Sequence, residues 1–537
     1  MRRCGVVLVA IAAALLWAPP GAGAAAVDWG ECPIDGLDPR QECALLTVPR
    51  DYRAPSGPTI EIAVSRIRTA DPASRRGVLL YNPGGPGESG LDAPTWMASA
   101  LPKSVQERYD LVSFDPRGVA YSSPASCSLA PEDLDVHKFI PYPDRDLDIG
   151  ENVDYAKRAA AGCAATSGNL LPHITTANTA RDMDRIRAAL GEPAISYLGT
   201  SYGTYLGAVY AQMFPERTDR FILDSVVHPD RIWREMFASW GYAVELAFTE
   251  YTRYAAAHHE TYGLGATPEA VYAKTLELIG ELEAEPFVWE DGTLITGEFF
   301  RELIRNGLRW ERSIPDLAAI SQIIDARDRR AVPSRAARAL VASGKRATSP
   351  LAPASTRRST AGRQAAFPTI PDDNAFSAPW AIVCGDADWP SDPFTYQADV
   401  RAYDRLFPIH GRAAANIWPC AFWAFEPREP APTIGALRGP GKALLVQSIR
   451  DPATPYDGAA AMRAALGGRS SLLSVETGGH FISFTGKNVC ADGRVERFLL
   501  TGTLSADAFC PRDAPIGEGR TARRGAEPAT GGLLPGA

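Results

Sequence analysis

Residues 195–213 (ISYLGTSYGTYLGAVYAQM) constrain the fold more than any other stretch of this 537-residue chain. An apolar run typical of a buried strand passes without a loop into small and apolar residues typical of a helix. The bend runs from Gly199 to Gly203 with Ser201 at its centre, and this G-x-S-x-G spacing can expose a serine hydroxyl at the end of a strand. The same small residues could instead serve the close packing of a helix on a sheet. The remaining sequence has to decide between these roles for Ser201.

Strand-like and helix-like segments alternate on both sides of this bend. The runs GVLLYN (77–82) and YDLVSF (109–114) each lead into a glycine-containing turn, and FILD (221–224) follows the helix after Ser201. Upstream, two stretches that alternate apolar and polar residues predict an N-terminal hairpin. Strands that alternate with helices predict an α/β fold with a mainly parallel central sheet, flanked by helices.

A long helical insertion interrupts the alternation. From 230 to 438 the pattern is mostly helical, and a strand pattern returns in KALLVQSIRDPATP (442–455). Within the insertion, residues 328–371 are basic and poor in large apolar side chains, which predicts a mobile loop. The predicted division is a signal peptide (1–26), a first core part (27–229), a helical lid (230–438), a second core part (439–512) and a disordered tail (513–537).

The N-terminus predicts an exported protein. MRR precedes the apolar run CGVVLVAIAAALLWA and small residues follow it, the pattern of a secretory signal peptide cleaved after Ala24 or Ala26. A membrane anchor is the alternative, but the apolar run is short for a bilayer. Cleavage removes Cys4 and leaves eight cysteines, an even number that predicts disulfides in a secreted protein. We predict the sequential pairs Cys32–Cys43, Cys127–Cys163, Cys384–Cys420 and Cys490–Cys510.

Composition argues against several other functions. The formal net charge is −8 and no basic stripe alternates with aromatic residues, so nucleic acid is not an expected partner. No cysteine and histidine spacing suggests zinc, and the glycine-rich turns lack the lysine of a phosphate-binding loop. We therefore expect neither a metal nor a cofactor, and no stable membrane anchor. The sequence does not indicate an oligomeric state.

A serine nucleophile needs a histidine base and an acid that orients the histidine. Among the seven histidines, only His480 ends a late strand, in ETGGHFISF, and active sites form at the carboxyl ends of parallel strands. Asp451 ends the preceding strand in an Asp-Pro turn and is the predicted acid. Asp224, which ends the strand after the nucleophile helix, is the alternative. The chain order Ser201, Asp451, His480 is the order of one large class of hydrolases.

Stabilisation of an oxyanion requires backbone N–H groups near the nucleophile. Tyr202, the residue after Ser201, supplies one of them. The second is predicted in the turn NPGGPG (82–87), where the two prolines cannot donate. Among the three glycines of this turn we choose Gly85.

Together these segments resemble the secreted tripeptidyl aminopeptidase (TAP-like) family of α/β-hydrolases, which is related to the proline iminopeptidases. The resemblance rests on YNPGGPGESG, YDLVSFDPRGVAYS, the segment around Ser201, DPATP and GGHFISF. It implies an α/β-hydrolase fold and cleavage of peptides near a free N-terminus. It also implies Ser201 as nucleophile, Asp451 as acid and His480 as base. Ala120 stands where the family usually has glycine.

The expected function is that of a secreted serine hydrolase, an exopeptidase that releases tripeptides through an acyl-enzyme. A carboxylesterase or amidase acting on small molecules is the first alternative, because the same three residues would serve it. A hydrolase-fold binding protein without activity is the second. An exopeptidase also needs a carboxylate for the ammonium group of its substrate, and Glu235, Glu245 and Glu250 are candidates that the sequence does not rank.

Overall fold

The structure is a computed structural model that describes residues 27–289, 292–328, 334–346, 366–426 and 429–517. The predicted signal peptide lies outside the described residues. So do residues 329–333 and 347–365 of the predicted mobile loop, and 518–537 of the predicted tail.

The described residues form strands and helices that alternate in the first and last parts of the chain. The strands are β1 (Glu42–Pro49), β2 (Thr59–Ile67), β3 (Gly77–Asn82), β4 (Tyr109–Phe114), β5 (Ile195–Thr200), β6 (Thr218–Asp224), β7 (Phe287–Val288), β8 (Leu294–Ile295), β9 (Lys442–Arg450), β10 (Ser470–Gly478) and β11 (Ala508–Cys510). The helices are α1 (Ala93–Ala100), α2 (Lys103–Gln106), α3 (Val136–Phe139), α4 (Gly150–Ser167), α5 (Thr176–Ala189), α6 (Tyr202–Met213), α7 (Arg234–Ala238), α8 (Trp240–Ala257), α9 (His259–Tyr262), α10 (Pro268–Ala284), α11 (Gly297–Leu308), α12 (Ile314–Asp325), α13 (Arg335–Arg346), α14 (Asn374–Asp386), α15 (Pro393–Leu406), α16 (Gly411–Ala414), α17 (Tyr456–Leu466) and α18 (Val489–Thr501).

One sheet forms the centre of the molecule, in the strand order β1-β2-β4-β3-β5-β6-β9-β10-β11. β2 pairs antiparallel with β1 and with β4, and every pairing from β4 through to β11 is parallel. The predicted α/β class with a mainly parallel sheet is therefore confirmed. Because parallel strands share a direction, the turns that follow β3, β5, β6, β9 and β10 lie at one edge of the sheet.

Helices cover both faces of this sheet, and this explains why its central strands are buried and mostly apolar. In β3, Val78 and Leu80 belong to a core shared with α5 and α6, whereas Leu79 and Tyr81 belong to a core shared with α1 and α18. All six residues of β3 and all six of β5 are buried. A strand buried on both faces reads as a continuous apolar run, as in a parallel sheet.

The insertion between β6 and β9 has two parts that pack differently. Helices α8, α10, α11 and α12 surround a separate apolar core that includes Phe248, Phe300 and Leu317. Helix α14 instead belongs to the core on one face of the central sheet, through residues such as Phe376 and Trp380. The second part of the insertion is thus anchored on the α/β domain.

The structure gives regular or bonded positions to parts of two segments that composition predicts to be mobile or disordered. Helix α13 lies within 328–371, the predicted mobile loop, because Ala337, Leu340 and Val341 form a buried stripe at helical spacing. The hydroxyl of Ser334 accepts the N–H of Ala337 at 2.9 Å, which caps this helix. Residues 513–517, assigned to a disordered tail, are held by a hydrogen bond of 2.8 Å from the N–H of Val489 to the Asp513 carboxylate.

Four disulfides support the fold. They join Cys32 to Cys43, Cys127 to Cys163, Cys384 to Cys420 and Cys490 to Cys510, which are the sequential pairs that we predict. Each closes a loop of 11 to 36 residues and so restricts the unfolded chain. Within the described ranges, no helix combines the length and the apolar character needed to cross a membrane.

Ala120 occupies a backbone conformation that favours glycine. Its φ of 43° lies in the left-handed region, which explains why the family that the sequence resembles usually has glycine there. The N–H of Ala120 donates to Oδ1 of Asn374 at 2.8 Å, and Nδ2 of Asn374 donates to the carbonyls of Gly118 and Ala125. Since Asn374 begins α14, the insertion holds this turn in shape despite the alanine.

Candidate active site

Ser201 lies at the sharp bend between β5 and α6. Its φ of 56° and ψ of −123° are outside the regions that a serine ordinarily adopts. A Cβ on Gly199 would lie 2.4 Å from the carbonyl oxygen of Gly203, and a Cβ on Gly203 would lie 2.8 Å from that of Asn82. The bend therefore requires both glycines, and a strained backbone at such a position is typical of a nucleophile.

The side chains of His480 and Asp451 meet at the same edge of the sheet. Nδ1 of His480 lies 2.8 Å from Oδ2 of Asp451 and 3.0 Å from Oδ1. Both side chains are buried. Nε2 of His480 is also buried and has no hydrogen-bond partner among the described residues. The carboxylate of Asp451 at Nδ1 thus orients the imidazole as a general base requires, and Nε2 makes no hydrogen bond to Ser201 in this structure.

Several groups hold Asp451 ionised. Burial raises its pKa, but the charge of His480 and the hydrogen bonds to the carboxylate outweigh this effect, so its pKa lies below the ordinary value. The N–H groups of Ala453 and Thr454 donate to Oδ1 at 2.8 and 2.9 Å. The Asp-Pro turn thus fixes the direction of the carboxylate, and an ionised Asp451 stabilises a positive charge on His480.

Asp224, the alternative acid, has a different position. Its carboxylate accepts the N–H of Ile482 at 3.1 Å and that of Ser483 at 2.6 Å, in the loop after His480. Its carbonyl accepts the N–H of Ser201 at 3.0 Å. Asp224 therefore connects the loop of the nucleophile to the loop of the histidine, and the carboxylate bonded to the imidazole is that of Asp451.

The glycine-rich turn after β3 lies against the bend at Ser201. A Cβ on Gly84 would lie 3.1 Å from Cβ of Ser201 and 3.2 Å from the backbone nitrogen of Tyr202. The N–H of Gly84 already donates to Oδ1 of Asn82 at 3.1 Å, which leaves the N–H groups of Gly85 and Gly87 as candidate oxyanion donors in this turn. Tyr202 is the first residue of α6, so its N–H has no acceptor within the helix.

Comparison with known proteins agrees with this geometry. Residues 408–510 match the family model described as TAP-like protein, and residues 77–289 match the α/β-hydrolase fold. A tripeptidyl aminopeptidase from Streptomyces lividans is 36% identical over 500 residues, which cover 91% of this chain and 87% of the relative. The chain belongs to the tripeptidyl aminopeptidase family of α/β-hydrolases. As a member of this family it is an enzyme, a serine hydrolase.

Two further relatives in Mycobacterium tuberculosis cover most of the chain. Serine protease Hip1 is 33% identical and covers 86% of this chain and 85% of its own length. Carboxylesterase B is 29% identical and covers 86% of this chain and 84% of its own length. Relatives of this chain thus carry names of both peptidases and esterases.

Sequence reasoning missed Thr454, which lies between Asp451 and His480. Its hydroxyl donates to Oδ2 of Asp451 at 3.0 Å and lies 3.4 Å from Nδ1 of His480. Thr454 lies in DPATP, three residues after the acid, where a hydroxyl can reach back to the carboxylate within a tight turn. A threonine three residues after the predicted acid could therefore have indicated this hydrogen bond.

Replacement of Thr454 by valine is expected to lower kcat about 10- to 100-fold, because a hydrogen bond to a charged group contributes about 1.5–3 kcal/mol. Valine keeps the shape of threonine, so KM should change little. The matched control is Thr275→Val in α10, which removes the bond from its hydroxyl to the Val271 carbonyl. Steady-state kinetics on both variants checks this, and equal losses in the two would contradict a role at Asp451.

The three candidate carboxylates for a substrate ammonium group differ in their surroundings. Glu245 accepts the N–H of Ile409 at 2.9 Å and the hydroxyl of Tyr272 at 3.0 Å. Glu250 pairs with Arg450 and, at 3.0 Å, with Arg512. Protein partners thus hold both carboxylates in place. An ammonium group would have to compete with these partners for either carboxylate.

Glu235 is exposed and lines a cavity of about 460 Å³ in the insertion. Phe237, Trp389 and Trp418 form much of the apolar wall of this cavity. Its lining includes none of Ser201, Asp451 and His480.

Proposed function

We propose that this chain is a secreted exopeptidase that releases tripeptides from free N-termini, with Ser201, Asp451 and His480 as its catalytic triad. The observation that carries the proposal is the Asp451–His480 hydrogen bond of 2.8 Å at the sheet edge where the strained bend carries Ser201. The tripeptide specificity is supported by the Streptomyces relative, which is named a tripeptidyl aminopeptidase. Secretion is supported by four disulfides, which persist in oxidising compartments.

In this mechanism His480 accepts the proton of the Ser201 hydroxyl at Nε2 while the serine oxygen attacks the substrate carbonyl. The N–H groups of Gly85 and Tyr202 hold the resulting oxyanion, and Asp451 stabilises the imidazolium. His480 then gives its proton to the leaving amine, and the peptide bond breaks to leave an acyl-enzyme. Water, deprotonated by His480, hydrolyses the ester and restores Ser201.

A carboxylesterase or amidase for small molecules is the second candidate, favoured by the relative named carboxylesterase B. The two functions share the triad, so they differ only in what the rest of the site recognises. An exopeptidase has to bind the substrate's ammonium group, whereas an esterase does not.

The test compares a chromogenic tripeptide amide with its N-acetylated form and with short-chain esters. We expect kcat/KM to fall about 10²-fold or more on acetylation, because loss of one partner of a buried charge pair costs about 2–5 kcal/mol. Equal rates on free and blocked peptides, with faster ester cleavage, would favour the esterase. A protein that neither cleaves these substrates nor reacts with a fluorophosphonate would contradict the proposed function.

A further inference from the structure

A segment of the insertion lies directly on the backbone of the loop that carries His480. Residues 309–311 follow α11, and residues 478–480 lead from β10 into the loop of the histidine. The N–H of His480 donates to the carbonyl of Arg309 at 3.0 Å. The N–H of Gly478 donates to the carboxylate of Glu311. Two hydrogen bonds thus join the insertion to the backbone around the proposed base.

The side chain of Lys487 adds a further connection at this junction. Its Nζ donates to the carbonyl of His480 at 2.5 Å and to the carbonyl of Arg309 at 3.2 Å. The same Nζ lies 4.0 Å from the centre of the Trp310 ring, within the range of a cation–π contact. One lysine therefore contacts both the backbone of the histidine and two consecutive residues of the insertion.

Gly479 permits the close approach of these two segments. Its φ is 88°, and a Cβ there would lie 2.4 Å from the carbonyl oxygen of Arg309 and 3.2 Å from Nζ of Lys487. Any side chain at 479 would push the insertion away from the loop. The contact between residues 309–310 and the histidine loop thus depends on this glycine as well as on Lys487.

The hydrogen bonds of Lys487 do not require its positive charge. Burial, and then the charge of Arg312, lower the pKa of Lys487 to about 7. The charges of Asp451, Asp224 and Glu311 act in the opposite direction and are outweighed. Because a neutral amine still has two N–H donors, the bonds to the two carbonyls can form on either side of this pKa.

We propose that Lys487 is a positioning residue that holds the backbone of His480 on residues 309–310 of the insertion, so that the imidazole is aligned only while this segment is in contact. The inference rests on the proposed role of His480 as general base. A misplacement of about 1 Å can lower a catalysed rate about 10²-fold, so control of the histidine backbone is sufficient to affect the chemistry. Lys487 acts through His480, and its loss should therefore lower kcat with little effect on KM.

The first test is Lys487→Met, which keeps an unbranched side chain but removes the hydrogen bonds. We expect kcat on the tripeptide amide to fall about 10- to 100-fold. The rate of fluorophosphonate labelling of Ser201 should fall by the same factor, because labelling also depends on the histidine. The matched control is Lys442→Met, which removes an ammonium bond of 2.9 Å to the Gly502 carbonyl at the opposite end of β9. This control should leave both rates unchanged.

Two further variants separate positioning from a general loss of stability. Gly479→Ala should reduce both kcat and the labelling rate although Lys487 is intact. Lys487→Arg, which can still donate to carbonyls, should have higher rates than Lys487→Met. An unchanged labelling rate in Lys487→Met, or an equal loss in Lys442→Met, would overturn the inference. His480→Ala, made in the wild-type protein, should abolish labelling. Labelling that survives this last change would instead contradict the proposed function.

Discussion

Replacement of Ser201 by alanine is expected to lower kcat about 10⁶-fold, the loss seen when a triad serine is removed from other serine hydrolases. A methyl group cannot form the acyl-enzyme, and the rate that remains depends on binding and on the oxyanion donors alone. Ser201 is buried at the bend and its side chain is small, so the fold should be unaffected. The measurement is kcat on the tripeptide amide together with labelling by a fluorophosphonate, which should disappear.

The matched control for this variant is Ser99→Ala in α1, which removes a hydroxyl that donates to the Trp96 carbonyl at 2.7 Å. It should leave kcat and labelling unchanged. Activity in Ser201→Ala above about 1% of wild type, or probe attached elsewhere, would assign the nucleophile to another residue.

Replacement of Asp451 by asparagine is expected to lower kcat about 10⁴-fold, as for the equivalent change in other serine hydrolases. The amide can donate a hydrogen bond to Nδ1 of His480, which places the ring proton on Nε2. A protonated Nε2 cannot accept the proton of Ser201, so the base is lost although the shape of the site is kept. Steady-state kinetics on the purified variant gives the loss directly.

The control variant is Asp224→Asn, which tests whether the loss of kcat is specific to Asp451. The carboxylate of Asp224 accepts N–H groups of the loop after His480, and the oxygen of an amide can still accept one of them. We expect a loss of less than about tenfold, since the amide keeps part of this bonding and neither of its atoms touches the imidazole. A larger loss in Asp224→Asn than in Asp451→Asn would assign the acid to Asp224.

Sequence patterns predicted the bend at Ser201 because local sterics determine its shape. The spacing of Gly199 and Gly203 around Ser201 specifies a bend in which no larger residue fits, as the close contacts of added Cβ atoms demonstrate. Composition was a poorer guide in the insertion. There, the stripe of Ala337, Leu340 and Val341 forms a helix within a basic segment that looks like a loop.

Sequence patterns could propose contacts between distant segments but could not decide them. Asp451 and Asp224 both end strands of the same sheet, and only the packed structure determines which carboxylate meets the imidazole. Likewise, no pattern around the end of α11 indicates that the carbonyl of Arg309 accepts the N–H of His480, more than 170 residues later. Such contacts depend on how helices and strands pack together.

By itself, the sequence determined the α/β class, the bend at Ser201 and the sequential disulfide pairs. Each of these follows from short-range rules: alternation of apolar residues, glycine at a bend, and cysteines near one another in the chain. Only the tertiary structure decided the partner of His480, the anchoring of α14 on the sheet and the junction at Lys487. The physical reason is that these contacts arise from the packing of segments far apart in the chain, where the sum of many weak interactions selects one arrangement.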